Sequence, residues 1–365
     1  MTTSRIQGLT AAGVSVWSDQ ISREMLDSGE LAQRIERDAV TGVTSNPTIF
    51  AGAIVGSSDY DEQLHELKSA GVPTEEIAKN LMTVDIQRGC DLLLGVFRES
   101  GGRDGFVSVE VSPTLAGDSD ATVAEARDWV KQINRPNLLV KVPATAEGVP
   151  AIRALIGEGI SVNITLIFSL DRYAEVMESY LSGLEDFQTA GGDLSKIASV
   201  ASFFVSRFDS EVDPRLEALG TEEALALRGV TAVANARVAY GLFRDCVESD
   251  RFRSLSAAGA TVQRPLWAST STKNPDYPDL IYVENLVARD TVNTMPPSTI
   301  DAYQDHGNPS PSPFTPEDIE EAKRDLDRLA SVGIDYEDVV RVLEEEGVEK
   351  FTKSWLELLE RVEQA

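Results

Sequence analysis

Eight short apolar segments alternate with amphipathic helices along most of the chain, and this alternation restricts the fold more than any other feature. The predicted strands are Val14–Asp19, Val40–Asn46, Phe106–Ser112, Leu138–Pro143, Ile160–Phe168, Ile197–Val205, Pro265–Thr270 and Thr291–Met295. Helical spacing of apolar residues marks the longer intervening segments, which include Thr74–Glu99, Ala121–Ile133, Gly148–Glu158, Leu170–Thr189 and Glu222–Glu248. Eight strands separated by helices form either a closed parallel barrel or a doubly wound sheet. Polar residues occur in many strands rather than at one switch point, so we predict an α/β fold of the (β/α)8 TIM barrel type.

The last part of the chain has a different composition. A proline-rich stretch, Gly307–Pro316, is typical of an extended connector. After it, Pro316–Leu329 and Tyr336–Ala365 have the pattern of acidic amphipathic helices, with an apolar stripe that includes Trp355. We therefore predict a single barrel domain over residues 1–365, in which residues 316–365 form a helical cap.

The charge of the chain excludes two classes of partner. Its formal net charge is −27, whereas nucleic acids and anionic membranes are bound by basic surfaces. The N-terminus lacks the pattern of a signal peptide, and no apolar run is long enough to span a bilayer. These features predict a cytoplasmic protein that binds neither nucleic acid nor membrane.

The residues that most often hold cofactors are scarce. The chain has two cysteines, Cys90 and Cys246, and two histidines, His65 and His306. We expect the cysteines to be reduced core residues and the histidines to be solvated, so no metal site is predicted. Neither a GxGxxG motif nor a P-loop occurs, which removes the usual nucleotide signatures, and no cofactor is predicted.

A lysine occupies the middle of the predicted fourth strand, Leu138–Pro143. Lysine is rarely buried, because removing water from its ammonium is costly. A lysine in such a place tends to lose its proton, and a neutral amine can attack a carbonyl to form a Schiff base. The alternative is that Lys141 is a structural residue paired with a buried carboxylate. The strand alone does not decide between the two.

The alternation of side chains along a strand predicts that several polar residues share the barrel interior. Successive side chains point to opposite faces, and the apolar faces must meet the surrounding helices. The polar faces carry Thr44 and Asn46, then Ser108, Glu110 and Ser112, then Lys141, then Asn163 and Thr165. This set is too polar for a filled core. These residues either form a buried network in which they satisfy one another's hydrogen bonds, or they line a site at the carboxyl ends of the strands. A purely structural network would lower the stability of the fold without an evident benefit. We therefore favour the site.

Asp19 ends the first predicted strand and adds a second carboxylate. Its simplest interpretation is a helix N-cap, a common role for aspartate. Next to a Schiff base, however, a carboxylate in this position can remove the proton from a hydroxyl whose carbon becomes a leaving aldehyde. Glu110 could serve the proton transfers that form and hydrolyse the imine, through a water held with Thr165.

The sixth and seventh strands indicate an anion site. Ser202–Arg207 and Ser269–Asn274 each combine hydroxyl side chains with a base, Arg207 and Lys273 respectively. Arginine and lysine both suit phosphate, and late strands of a barrel frequently bind it. Each base taken alone is better explained as a member of an ordinary surface ion pair.

The chain resembles the transaldolase family in several motifs that occur in the order typical of the family. The two signature-like segments are Gly42–Thr48 and Leu138–Val149, and the resemblance continues through Gly159–Thr165, Ser202–Arg207 and Thr291–Pro297. It covers most of the chain from about Val14 to Pro297, and the length and terminal helices are similar to those of the longer bacterial branch.

The resemblance implies a metal-independent (β/α)8 enzyme of the class I aldolase group. Such an enzyme moves a dihydroxyacetone unit from a ketose phosphate to an aldose phosphate in the non-oxidative pentose phosphate pathway. It implies Lys141 as Schiff-base nucleophile, Asp19 as the acid and base of bond cleavage, and Glu110 with Thr165 on the catalytic water. The implied substrate contacts are Asn46, Asn163, Ser202 and Arg207, with Ser271 and Lys273 completing the phosphate site. Lys273 stands where many relatives have arginine, and lysine cannot form a bidentate fork.

Two other hypotheses stay open at this point. One is a lyase-type class I sugar-phosphate aldolase that releases free dihydroxyacetone, and the other is a barrel that only binds sugar phosphates. The expected partners are phosphorylated ketose and aldose substrates. The apolar stripes of the terminal helices also leave a homodimer open.

Overall fold

The computed structural model of the protein describes residues 4–364, and its centre is a closed barrel of eight parallel strands. Neighbouring strands follow one another in chain order from β1 to β8, and β8 pairs with β1. The strands are β1 (Val14–Ser18), β2 (Val40–Val43), β3 (Phe106–Glu110), β4 (Leu138–Pro143), β5 (Val162–Ile167), β6 (Ser199–Phe204), β7 (Arg264–Ala268) and β8 (Thr291–Met295). The predicted (β/α)8 barrel is confirmed.

Seventeen α-helices occur in residues 4–364, and most of them surround the barrel. They are α1 (Arg5–Ala12), α2 (Arg23–Asp27), α3 (Glu30–Asp38), α4 (Pro47–Ile54), α5 (Asp61–Ser69), α6 (Thr74–Glu99), α7 (Ser119–Ile133), α8 (Gly148–Gly157), α9 (Leu170–Thr189), α10 (Ser206–Leu219), α11 (Glu222–Leu225), α12 (Thr231–Glu248), α13 (Asp250–Ala257), α14 (Ile281–Glu284), α15 (Pro297–His306), α16 (Pro316–Ser331) and α17 (Tyr336–Gln364). Two 3₁₀ helices cover Pro113–Leu115 and Leu194–Lys196. Within the described residues, no helix is both long enough and apolar enough to cross a membrane.

Six of the eight strands, all except β4 and β8, end earlier at their carboxyl ends than the apolar pattern predicts. β1 ends at Ser18 and β2 at Val43, so Asp19 and Asn46 lie just beyond the strands rather than inside them. The reason is visible at Asn46, whose side chain caps α4 by accepting a hydrogen bond from the backbone N–H of Ile49 at 2.9 Å. The chain has already left the sheet when these polar residues occur.

One predicted helix is divided in two. The segment predicted as a continuous helix over 222–248 forms α11 and α12, with residues 226–230 between them. Gly229 in this connection has φ of 69°, in the left-handed region that glycine adopts without steric cost. The backbone N–H of Gly229 donates to Asp213 on α10 at 3.1 Å, so the interruption is held in place by α10.

The amino end of the barrel is closed by a buried ionic cluster. Arg264 at the start of β7 donates to Asp104 at 3.0 Å and to the hydroxyl of Ser15 at 2.8 Å. Asp104 also accepts from Ser15 at 2.7 Å and from the indole of Trp17 at 3.0 Å. Burial lowers the pKa of Arg264, and Asp104 opposes this effect. The cluster lies at the end opposite the carboxyl ends of the strands, so it contributes to stability rather than to the candidate site.

Replacing Asp104 with alanine should therefore destabilise the barrel strongly. The change would leave the Arg264 guanidinium buried without its carboxylate, a loss that typically costs about 3–5 kcal/mol of unfolding free energy. Denaturant unfolding would measure this value. As a control, Asp27→Ala breaks the exposed pair with Arg88, 2.6 Å long, and should cost less than about 1 kcal/mol. Similar small losses in both variants would contradict the structural role of the cluster.

The C-terminal helix α17 crosses the carboxyl end of the barrel. At its start, the hydroxyl of Tyr336 donates to Asn235 on α12 at 2.9 Å, and further along the helix Ser354 and Thr48 on α4 are joined by a 2.8 Å hydrogen bond. Its buried side is a helical stripe formed by Val339, Val340, Leu343, Gly347, Phe351, Ser354, Trp355, Leu358 and Val362. The apolar stripe of α17 is therefore buried within the chain, against the barrel and its neighbouring helices.

Candidate active site

The centre of the candidate site is Lys141, whose side chain is only 5% exposed. Its Nζ atom lies 3.3 Å from Oε2 of Glu110 and donates a hydrogen bond to the backbone carbonyl of Ser45 at 3.2 Å. In the barrel, Glu110 pairs with Lys141, and Lys141 pairs with Asn163, so the three residues stand at one level on adjacent strands. The polar faces of β3, β4 and β5 therefore meet inside the barrel, as the alternation of side chains predicts.

Two buried oxygen atoms on β3 and β5, the strands that flank β4, have no hydrogen-bond partner among the described residues. They are Oε2 of Glu110, whose contact with Lys141 is an ion pair without hydrogen-bond alignment, and Oγ1 of Thr165. Burial raises the pKa of Glu110, while the positive charge of Lys141 opposes this effect. A carboxyl group with a raised pKa can exchange protons at a pH closer to neutrality than an ordinary glutamate.

A chain of hydrogen bonds fixes the side chain of Asn163. Its amide nitrogen donates to Oγ of Ser108 at 3.0 Å, and its amide oxygen accepts from Oγ of Ser202 at 2.7 Å. All three side chains are buried, with at most 1% exposure. The orientation of these polar groups on β3, β5 and β6 is therefore set before any ligand binds.

Asp19 is held by a threonine pair and does not cap a helix. Its Oδ1 accepts from Oγ1 of Thr44 at 2.7 Å, and the same hydroxyl lies 2.6 Å from Oγ1 of Thr294. Helix α2 begins at Arg23 and is capped by Ser22 instead. The N-cap interpretation of Asp19 is therefore wrong.

The negative charge of Asp19 acts on the rest of the site. It is one of the charges that raise the pKa of Glu110, and it also opposes the lowering of the pKa of Lys273. Asn46 lies two residues after Thr44 on the same loop. Its side-chain oxygen is used to cap α4, so its amide nitrogen remains the group that it can offer to a ligand.

Arg207 stands at the beginning of α10, directly after β6. Its guanidinium carbon lies 4.9 Å from the ring centre of Phe204 and 5.8 Å from that of Phe351. Burial lowers its pKa, and the charges of Asp19, Glu110 and Glu346 oppose this effect. No carboxylate of the described residues lies within 4.0 Å of Arg207, so the N–H donors along the edge of its guanidinium are available to an anion.

Ser271 and Lys273 lie on the loop after β7, and Lys273 is exposed. Its Nζ donates to Oγ of Ser271 at 2.5 Å. Partial desolvation lowers the pKa of Lys273, and the positive charges of Arg207 and Lys350 add to this effect. Lys273 therefore shares an electrostatic environment with Arg207, although the two are far apart in sequence.

The loop that carries Lys273 is fastened to α10, the helix that begins next to Arg207. The hydroxyl of Tyr277 donates to Asp213 at 2.6 Å, and that of Tyr282 donates to Asp209 at 2.8 Å. Burial raises the pKa of Asp209 to about 6. Both acids lie on α10, so one helix positions both sides of the candidate anion site.

Sequence reasoning missed the contribution of α17 to the site. Phe351 is buried, and its ring centre lies 5.9 Å from Nζ of Lys141 as well as beside Arg207. One signal in the sequence could have indicated it, since an isolated glycine, Gly347, stands inside the helical pattern. Thr44 was noted on a polar face, but its contact with Asp19 was not predicted.

Comparison with known proteins finds one family in both the family models and the similar curated proteins. A family model described as Transaldolase/Fructose-6-phosphate aldolase matches residues 16–362. Similar curated proteins are the transaldolase of Thermobifida fusca, 54% identical over 99% of this chain and 98% of that protein, and the transaldolase of Mycolicibacterium smegmatis, 52% identical over 97% and 95%. Transaldolase 1 of Streptomyces coelicolor is 52% identical over 99% of this chain and 94% of its own length.

Proposed function

Since the chain belongs to the transaldolase/fructose-6-phosphate aldolase family, we propose that it transfers a dihydroxyacetone unit through a Schiff base on Lys141. It is accordingly an enzyme of the class that transfers aldehyde or ketone residues. The donor is sedoheptulose 7-phosphate or fructose 6-phosphate, and the acceptor is glyceraldehyde 3-phosphate or erythrose 4-phosphate, as in the non-oxidative pentose phosphate pathway. The observation that carries the proposal is the buried Lys141 amine, 3.3 Å from Glu110.

The first step is attack of the Lys141 nitrogen on the ketose carbonyl carbon. The carbonyl oxygen leaves as water, and the nitrogen gives up its protons as the imine forms. Glu110 is the nearest carboxylate and accepts and returns protons in this step. The two unpartnered oxygens, on Glu110 and Thr165, are suited to hold the water that is released and later used for hydrolysis.

The second step breaks the bond between the third and fourth carbons of the ketose. Asp19 removes the proton from the hydroxyl on the fourth carbon, the aldose leaves as an aldehyde, and the bonding electrons move into the imine to give an enamine. The enamine then attacks the acceptor aldehyde, and Asp19 returns the proton to the new hydroxyl. Thr44 orients Asp19 for both transfers.

The remaining residues hold the substrate. Asn46, Asn163 and Ser202 contact the hydroxyls of the dihydroxyacetone unit, while Arg207, Ser271 and Lys273 contact the phosphate. Arg207 supplies a planar guanidinium with paired N–H donors. Lys273 supplies only a point charge, where a second arginine would offer another pair of donors. The proposed partners of the enzyme are small phosphorylated sugars. The proposed steps use only side chains of this chain. We place the enzyme in the cytoplasm.

Borohydride reduction in the presence of fructose 6-phosphate tests the proposal. We expect intact mass and peptide mapping to find a dihydroxyacetone-sized adduct on Lys141. A much faster reaction with erythrose 4-phosphate present is expected of a transferase, whereas equal cleavage of fructose 6-phosphate without an acceptor would favour a lyase-type aldolase. A folded protein that binds the sugar but forms no adduct would favour the binding barrel.

The raised pKa of Glu110 predicts the pH dependence of the reaction. Glu110 must be ionised to accept a proton, and it becomes protonated as the pH falls through its raised pKa. An ordinary glutamate has a pKa of 4.5, and the acid limb of kcat/KM should therefore lie at a higher pH than this value. Glu110→Gln should lower kcat about 10²-fold or more and remove this limb. An unchanged acid limb in the variant would assign it to another group.

A further inference from the structure

The helix that crosses the barrel brings a lysine to the edge of the candidate phosphate site. Gly347 and Phe351 lie one turn apart on α17, and both are buried against the barrel. A Cβ at Gly347 would lie 3.7 Å from Nη1 of Arg207, and the Phe351 ring lies 5.8 Å from the Arg207 guanidinium. Lys350 is the third residue after Gly347 and the one before Phe351. Residues three apart lie on the same face of a helix, so Lys350 is on the side of α17 where Gly347 faces Arg207, and Lys350 is exposed.

The charges at this place are unusual for so acidic a protein. The chain has 60 acidic and 33 basic residues, and most of its lysines and arginines lie within 4.0 Å of a carboxylate. Arg207, Lys273 and Lys350 have no such partner among residues 4–364. Glu346 is the acid of α17 whose charge acts on Arg207, and the two side chains form no ion pair within 4.0 Å.

The three bases form one cluster. The charge of Arg207 adds to the desolvation that lowers the pKa of Lys350, and the charges of Arg207 and Lys350 both act on Lys273. Mutual repulsion among three cations costs free energy unless an anion binds between them. Arg207 lies at the start of α10 after β6, Lys273 on the loop after β7 and Lys350 on α17, so three different elements supply the three bases.

We propose that Lys350 is a third basic contact for the substrate phosphate, supplied by the C-terminal helix, and that it adds to the preference for phosphorylated sugars. This inference rests on the proposed function of the same site. Lys350 adds a second point charge where Lys273 lacks the bidentate fork of arginine. It also makes α17 part of the substrate site rather than only a cover for the barrel.

Lys353 offers a matched control on the same helix. It is exposed, lies one turn further along, has no carboxylate within 4.0 Å among the described residues, and is not one of the charges acting on Lys273. Lys350→Met and Lys353→Met remove the same charge from α17 with the same side chain. Only the first removes it from the three-base cluster.

The experiment compares these variants by kinetics and by binding of inorganic phosphate. We expect Lys350→Met to raise KM for fructose 6-phosphate on the order of ten-fold, with a much smaller change in kcat. It should weaken the affinity for inorganic phosphate by a similar factor and affect cleavage of unphosphorylated fructose far less. Lys353→Met should change each value less than about two-fold, and Lys350→Arg should restore most of the loss. Thermal unfolding would confirm that all variants are folded.

Two results would overturn the proposal. One is equal behaviour of the Lys350 and Lys353 variants towards both fructose 6-phosphate and inorganic phosphate. The other is an equal loss for Lys350→Met with phosphorylated and unphosphorylated sugars, which would indicate a structural effect of α17. A wild-type protein that binds inorganic phosphate without any turnover would instead reject the proposed function, and phosphate binding by the variants would still decide the role of Lys350.

Discussion

Replacing Lys141 with methionine is expected to abolish turnover while the barrel stays folded. The thioether has no nitrogen to form the imine, so the covalent route is lost, and the rate should fall roughly 10⁴-fold or more. The fold should survive because methionine fills a similar buried volume. Burial already raises the pKa of Glu110, so this carboxyl can take up a proton when its cationic partner is gone. Steady-state assays with fructose 6-phosphate and erythrose 4-phosphate would measure the loss.

The control for this prediction separates charge from nucleophilicity. Lys141→Arg keeps a cation opposite Glu110 but supplies a guanidinium, which stays protonated and forms no Schiff base. Both variants should be inactive and give no borohydride adduct, while thermal unfolding shows them to be folded. Turnover near the wild-type rate in Lys141→Met would reject Schiff-base chemistry at this position.

Replacing Asp19 with alanine is expected to slow bond cleavage while imine formation continues. The Asp19 carboxylate is proposed to take the proton from the hydroxyl on the fourth carbon, and loss of such a group typically costs about 10²–10⁴-fold in rate. Lys141 and Glu110 are unchanged in this variant, so the first step can still occur. The covalent adduct with the intact ketose should therefore accumulate and be visible by mass after borohydride reduction.

Asp19→Asn is the closer control, because its amide oxygen can still accept the hydrogen bond from Thr44, 2.7 Å long in the native site. The amide cannot serve as a base, so this variant should trap the same adduct with the loop less disturbed. If neither variant forms an adduct, Asp19 acts before cleavage and the assigned role is incorrect. If both turn over at the native rate, another group removes the hydroxyl proton.

Much of the barrel could be predicted because its signals are local. An apolar run of strand length and an amphipathic helix are each visible within a short window, and β4 and β8 have the predicted bounds. The alternation of side chains likewise determines which residues of one strand share a face. Once eight strands close in chain order, Glu110, Lys141 and Asn163 are brought to one level by that local rule.

The loops after the strands could not be predicted in the same way. Asp19 could have been a helix cap, and two observations of the structure exclude that role: Ser22 caps α2, and Asp19 contacts Thr44 on a different strand-end loop. The anchoring of the Lys273 loop depends on Tyr277 and Asp213, which are 64 residues apart in the chain. Such contacts have no periodicity, because they join positions whose separation in sequence carries no geometric information.

The sequence by itself determined the strands, the inward face of each strand and the position of the lysine at the centre. Tertiary structure alone decided that α17 crosses the carboxyl end of the barrel and brings Phe351 towards Lys141 and Arg207. The physical reason is the range of the interactions. Backbone periodicity acts over a few residues, whereas the place of an amphipathic helix depends on which distant surface can bury its apolar side.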